Sequence, residues 1–398
     1  MNILIITPRI PYPPFRGDKL KIYNLAKLLS SNNSVTILTF LRNNSQRKDL
    51  ANLEKHGIQI EVVKLSLIGS LLQTFLAIFG NLPFQTAFFK SSKMKKKVRE
   101  KVRTGDFDVV YYHLIRSAQY LYSNKTDSKP LNVIDFTDDV SLYLKRFAEI
   151  ENNPFKRYFI NIEQKRIEKY ERIAEKFHSL FICSDVDKDF LKKKGINKNV
   201  NILPNGIDIE YFNSDNQEFE KNRIIFTGNM PYYANYDAAF YFTKDIFPLV
   251  LKKIPESEFY IVGQKPPQKI KMLKSKKVFV TGFVKDIKLE YLKSAVNVAP
   301  MRFGAGTLNK VIESIALGVP VVATSMAVGG LPKELNKYIF VADDPEEFAK
   351  KIIYIIQNPI IRFELMEEGK KIIREKLNWK KVVSEFEEYL SNELLKLN

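Results

Sequence analysis

Short apolar runs recur along the chain, separated by stretches of helical spacing, and that alternation predicts βαβ units in two successive series. In the first series, residues 3–7, 35–40, 58–64, 108–112, 131–135, 180–183 and 200–203 read as strands. A proline-rich turn at 8–14 leads through Phe15-Arg16-Gly17-Asp18 to a helix over about 19–30. Residues 154–176 have the spacing of an amphipathic helix laid over the sheet. Pro204-Asn205-Gly206 is a turn signal, followed by the polar stretch 213–222, and the alternation then restarts with strands at 224–227, 258–262, 278–281, 296–299 and 319–323. From residue 345 the pattern is helical, ending in an amphipathic helix after Trp379. The expected architecture is α/β, with two Rossmann-like, doubly wound parallel-sheet domains facing across a cleft. One domain spans 1–204, completed by a returning helix at about 380–398, and the other spans 205–379.

Chemistry concentrates in residues 299–330, APMRFGAGTLNKVIESIALGVPVVATSMAVGG, which hold Gly304, Gly306, Gly318, Gly329 and Gly330 of the sixteen glycines in the chain. A strand feeding a glycine loop onto a helix N-terminus offers free amides and a favourable dipole to an anion. Arg302 and Lys310 add full positive charge, and Glu313, three residues beyond Lys310, shares its face of the helix. A nucleoside diphosphate sugar calls for such groups, with cations and amides for the diphosphate and a carboxylate for the ribose hydroxyls. An ordinary βαβ unit with Lys310 and Glu313 as a solvated pair is the competing reading. Gly228 and Gly263, at the ends of earlier strands in this half, are further points where a backbone could approach a ligand closely.

In the first half, His113, Asp135, Asp138 and Asp139 fall at strand ends, where ligands gather in open α/β sheets. Asp138 is the candidate base or hydroxyl binder, although carboxylates there would also cap a helix. Gly17 beside Arg16 is either a close-approach point or a plain turn glycine.

The composition, 45% hydrophobic and 27% charged, is that of a folded protein. One cysteine, Cys183, excludes an internal disulfide framework, and three scattered histidines make no metal-spaced cluster. The start, an apolar strand without a basic leader, gives the expectation of no secretion signal and a cytoplasmic setting. Most of the net charge of +18 lies in the first 200 residues. There the apolar window 65–89, too interrupted to span a bilayer, adjoins the basic run 90–103. That pairing suits an anionic membrane surface better than nucleic acid, since no nucleic-acid-binding motif accompanies it. A core segment beside a solvated helix is the alternative.

The motifs TPRIPYPPFRGDKLKIYNLAKLL, ILPNGIDIEYF, FTGNMPYYANYDAAFYF, VTGFV and above all APMRFGAGTLNKVIESIALGVPVVATSMAVGGL resemble the glycosyltransferases of family 4, which have the GT-B fold. The resemblance covers nearly the whole chain. It implies a retaining, metal-independent transfer from a nucleoside diphosphate sugar, without a cofactor, to a lipid-linked or polysaccharide acceptor at the inner face of the plasma membrane. Gly17 would approach the donor diphosphate, Arg302 and Lys310 would face it, Glu313 would bind the ribose, and amides around Gly304, Gly306 and Thr307 would hold the sugar. Three departures stand out. Ala305 replaces a frequent glutamate, GNMPYYANYD lacks a frequent arginine and lysine, and FTDD replaces a frequent histidine, leaving Asp138 or Asp139 as its substitute. The rival functions are a nucleotide-sugar epimerase and a non-catalytic membrane-surface protein.

Overall fold

Both series of apolar runs form parallel sheets. The computed structural model describes residues 1–122, 130–197, 199–213, 218–364 and 366–397; residues 214–217 of the polar stretch after the turn lie outside it. The chain divides into two compact units, Met1–Pro204 with Trp379–Asn398, and Asn205–Asn378.

The first unit holds β1 (Asn2–Thr7), β2 (Ser34–Leu41), β3 (Gln59–Lys64), β4 (Val109–His113), β5 (Leu131–Thr137), β6 (Ser179–Ile182) and β7 (Val200–Ile202), in the order β3-β2-β1-β4-β5-β6-β7. Ile5 pairs with Ile37 on one side and Tyr111 on the other. The winding reverses between β1 and β4, which opens a crevice at their carboxyl ends. Because successive side chains alternate faces, Ile3 and Ile5 join one core and Leu4 and Ile6 the other. Trp379, Val382, Phe386 and Leu390 of the helix Trp379–Leu397 complete the first of these cores, and Met94, Val98 and Ile167 contribute to the second. Cover on both faces explains why the strands are apolar almost throughout.

The second unit holds β8 (Glu220–Thr227), β9 (Glu258–Val262), β10 (Val278–Gly282), β11 (Ser294–Ala299), β12 (Val321–Ala323) and β13 (Ile339–Val341), in the order β10-β9-β8-β11-β12-β13. Its winding reverses between β8 and β11.

Several boundaries differ from the sequence reading. β5 runs two residues past Asp135, so that residue lies inside the sheet opposite His113. The first helix begins at Gly17, so Gly17 opens the first turn rather than preceding it. β13 has three residues, too short a run for periodicity to register.

Candidate functional site

In the second unit, β11 delivers residues 300–308 onto the helix Asn309–Ala316. Gly306 takes a left-handed φ of 76°, and a Cβ on Gly330 would lie 2.0 Å from the Gly306 carbonyl oxygen, so glycine at both positions lets two backbones touch. The Thr307 hydroxyl donates to the Gly330 carbonyl at 3.1 Å, and Thr324 donates to Met301 at 2.6 Å. The loop is thereby fixed. Leu308 at the N-cap supplies no side-chain acceptor, so no cap closes the first turn against an anion. Nothing lies within 4 Å of where a Cβ on Gly304 would sit.

Lys310 is buried, its Nζ donating to Asn235 Oδ1 at 2.8 Å and lying 3.9 Å from the centre of the Phe226 ring. Among the described residues no carboxylate lies within ion-pair distance of it. Burial pushes its ammonium down from 10.5 to about 7, against the pull of Glu313. Glu313 accepts from the Tyr291 hydroxyl at 3.0 Å, and its carboxyl is raised by burial, partly offset by Tyr291 and Lys310. Lys310 and Glu313 are thus a desolvated pair in electrostatic contact, which removes the solvated-pair reading.

Gly228 follows β8, and a Cβ there would lie 2.8 Å from the Asn235 amide. In this structure the group that approaches its backbone is Asn235, and that approach lets Asn235 reach Lys310. Arg302 is placed differently from Lys310. Its Nε and Nη2 donate to the two Asp237 oxygens at 2.9 and 2.5 Å, and this bidentate pairing raises its pKa. Its charge is matched by Asp237, whereas Lys310 has no carboxylate within ion-pair distance among the described residues. Asn235 and Asp237 lie within the segment FTGNMPYYANYDAAFYF, but nothing in its pattern singles them out, and Tyr291 is marked only by its position before β11.

The first unit separates its candidates. His113 Nε2 donates to the Asp18 carbonyl at 2.9 Å, and burial pushes the ring down to about 4, so it is neutral at pH 7. Its Nδ1 is buried without a hydrogen-bond partner, 4.0 Å from Asp135 Oδ2. His113 therefore pins the first turn of the helix Gly17–Leu29 from the interior. Gly17 itself has no neighbour within 4 Å of a hypothetical Cβ, leaving its backbone open to approach.

Asp135, fully buried, is ion-paired with Lys21 at 2.9 Å. Asp139 accepts from Leu142 N at 2.8 Å as an N-cap and from Lys194 Nζ at 2.8 Å, so it serves the fold. Asp138 follows Thr137, whose φ of 64° is rare for a β-branched residue and marks stored strain. The Cys183 thiol donates to Asp138 at 3.2 Å, while burial, with Asp187 adding to it, pushes the carboxyl up to about 7. Asp138 is thus poised between its protonation states near neutrality. Among the described residues, no group of three or more His, Cys, Asp or Glu side chains is placed to hold a metal ion.

Residues 221–358 match the model for glycosyl transferases group 1. The chain is 23% identical over 400 residues to an uncharacterized 44.6 kDa protein in the cps region of Klebsiella pneumoniae, covering 96% of this chain and 98% of that protein. Sucrose-phosphate synthase from Thermosynechococcus elongatus superimposes with a TM-score of 0.71 at 14% identity, over 100% of both chains. Anabaena Alr3699/HepE in complex with UDP and glucose superimposes with a TM-score of 0.69 at 14% identity, over 98% of this chain and 99% of that one. The same protein has been solved with UDP-glucose, at a TM-score of 0.68 and 15% identity, over 98% of this chain and 100% of that one. These likenesses show a GT-B fold, and with the match over 221–358 they support a glycosyltransferase.

Proposed function

We propose that the chain transfers a sugar, with retention, from a nucleoside diphosphate donor to a hydroxyl of a lipid-linked or polysaccharide acceptor in cell-surface polysaccharide synthesis. The observation that carries this reading is Lys310, buried at an uncapped helix N-terminus with no carboxylate within ion-pair distance among the described residues and with Glu313 as its electrostatic neighbour. A diphosphate would supply the missing negative charge, and the Glu313 carboxylate would accept from the ribose hydroxyls. In the transfer, the acceptor oxygen bonds to the anomeric carbon as the bond from that carbon to the diphosphate oxygen breaks. The hydroxyl proton passes to the departing phosphate. Charge grows on the diphosphate along this path, so Lys310 and the helix amides stabilise the transition state more than the bound donor. No step calls for a metal or a cofactor.

The cps-region relative supports a place in polysaccharide synthesis, and the neighbour solved with UDP-glucose supports a nucleotide-sugar donor. The first unit also presents an apolar face suited to an anionic membrane surface on the cytoplasmic side. Ile68 and Phe79 are 82% and 79% exposed, and the basic helix Ser92–Thr104 follows in the chain. No helix among the described residues is long and apolar enough to cross a membrane.

The test is a thermal-shift screen across UDP-, GDP- and ADP-sugars, followed by incubation of the responding donor with and without acceptor. Product without acceptor identifies an epimerase, and no response to any donor removes the enzyme reading. Flotation with anionic and neutral vesicles tests the membrane partner, where charge-independent recovery rejects it.

A further inference from the structure

The first unit carries four arginines around one ring and one carboxylate. Arg9 lies two residues beyond β1, Arg42 directly follows β2, and Arg116 lies three residues beyond β4, so all three rise from the carboxyl ends of adjacent strands. Their guanidinium carbons lie 5.6, 5.5 and 5.9 Å from the centre of the Phe89 ring. Arg16, at the N-cap of the next helix, joins them through Asp18, which accepts from Arg9 at 2.6 Å and from Arg16 at 3.0 Å. Burial alone would raise the Asp18 carboxyl, yet Arg16, Arg9 and Arg116 hold it well below the usual range.

One carboxylate does not neutralise four guanidiniums. Arg42 Nε and Arg116 Nη1 are buried without a hydrogen-bond partner. Arg116 spends its Nε on Gln85 at 2.9 Å. Its pKa falls to about 9 through burial and the neighbouring Arg9, Arg16 and Arg42, against the pull of Asp18. Glu163, the other carboxylate near Arg116, is occupied by the Phe84 and Gln85 amides at 2.8 and 3.1 Å. Crowded like charges with unsatisfied donors cost stability unless an anion completes them. Planar forks converging from several directions match the oxygens of a phosphate.

We propose that this cluster is a phosphate site that receives the acceptor, so that the acceptor carries its phosphate near the hydroxyl to be glycosylated. This rests on the glycosyltransferase reading. The donor elements Lys310 and Glu313 belong to the second unit, whereas every residue of the cluster belongs to the first. The phosphate can come from a lipid carrier or from a glycan. The lipid source is favoured by the exposed apolar side chains of Ile68, Leu71 and Phe79, whose segment the helix Pro154–Glu171 ties to the cluster, holding the Phe84 and Gln85 amides through Glu163 and the Ala77 and Ile78 carbonyls through Arg166.

The test is calorimetry on the full chain with inorganic phosphate, farnesyl phosphate in micelles and glycerol phosphate, with UDP as the donor-site probe. Wild type, Arg42→Gln, Arg116→Gln and Lys310→Gln are compared. Each arginine substitution is expected to weaken phosphate binding roughly ten- to hundredfold, the worth of a charge-assisted contact, while UDP binding stays unchanged. Lys310→Gln is expected to do the reverse. Farnesyl phosphate binding more tightly than glycerol phosphate identifies a lipid source, and the opposite order a glycan source. Arg42→Lys and Arg116→Lys, which keep the charge at each position, guard against a folding artefact in the matching glutamine variants and are expected to retain much of the affinity. Phosphate binding that survives both glutamine substitutions overturns the proposal, as does a loss of UDP binding in the same two variants, which would assign the cluster to the donor. Absence of UDP binding in wild type would instead strike at the donor reading and leave the phosphate result standing.

Discussion

Lys310 should make donor affinity depend on pH in a direction opposite to its effect on stability. Its ammonium is held at about 7 in the empty site. A bound diphosphate is a counter-ion and raises that value, so binding takes up a proton wherever the empty site has lost one. At pH 7 about half of the molecules carry the charged amine, and at pH 8 about a tenth do. Affinity is taxed by that competent fraction, so the dissociation constant should weaken about fivefold over this unit, ~1 kcal/mol. UDP-glucose is the suitable probe because its diphosphate diester keeps a constant charge across the range. No histidine lies in the second unit to confuse the titration. Isothermal calorimetry in buffers of different ionisation heat reads both the affinity and the proton uptake. Lys310→Arg, charged throughout, should bind with no alkaline decline, while any acid-side decline from Glu313 persists. Without ligand the sign reverses. The unfolded chain binds more protons than the native one between about 7 and 10.5, so this group's contribution to stability rises with pH across that window. A wild-type affinity that is flat between pH 7 and 8, with no proton uptake, would refute the assignment of Lys310 to the diphosphate.

Three other outcomes are expected. Gly228→Ala places a methyl 2.8 Å from Asn235 and should break its bond to Lys310, weakening nucleotide binding by about 1 kcal/mol at little cost to the fold, read by calorimetry beside a melting curve. Asp138→Asn should flatten the pH dependence of stability between about 4 and 7. The raised Asp138 carboxyl favours the native state below its unfolded pKa, and that stability is lost as pH rises towards 7, on the order of a few kcal/mol in denaturant titrations at pH 4 and 8. Phe386→Ala removes a ring packed 5.0 Å from Phe181 and 5.7 Å from Tyr111 and should cost about 3–5 kcal/mol, visible as an early first-unit transition in calorimetric melting.

The parallel sheets were legible because strands covered on both faces must be continuously apolar, as residues 3–6 and 224–226 are. The glycine loop before Asn309 was legible because its backbone demands are local. The partners of the site were not. Arg302 meets Asp237 across 65 positions and Lys310 meets Asn235 across 75, and the segment FTGNMPYYANYDAAFYF does not say which of its polar side chains will turn towards a loop so far along the chain. The same limit hid the arginines around Phe89. Arg9, Arg42 and Arg116 are separate basic residues in the chain, and only the strand order β2-β1-β4 brings them together. His113 was a strand-end histidine in sequence, and its burial depended on how the Asp18 turn folds over it.

The helix Trp379–Leu397 gives the chain an order of assembly that its numbering conceals. The first unit lacks Trp379, Phe386 and Leu390 of its own core until those residues leave the ribosome, whereas Asn205–Asn378 is by then fully synthesised. During synthesis the second unit can close first, and the unit whose strands emerge earliest must wait with one face of its sheet unfilled.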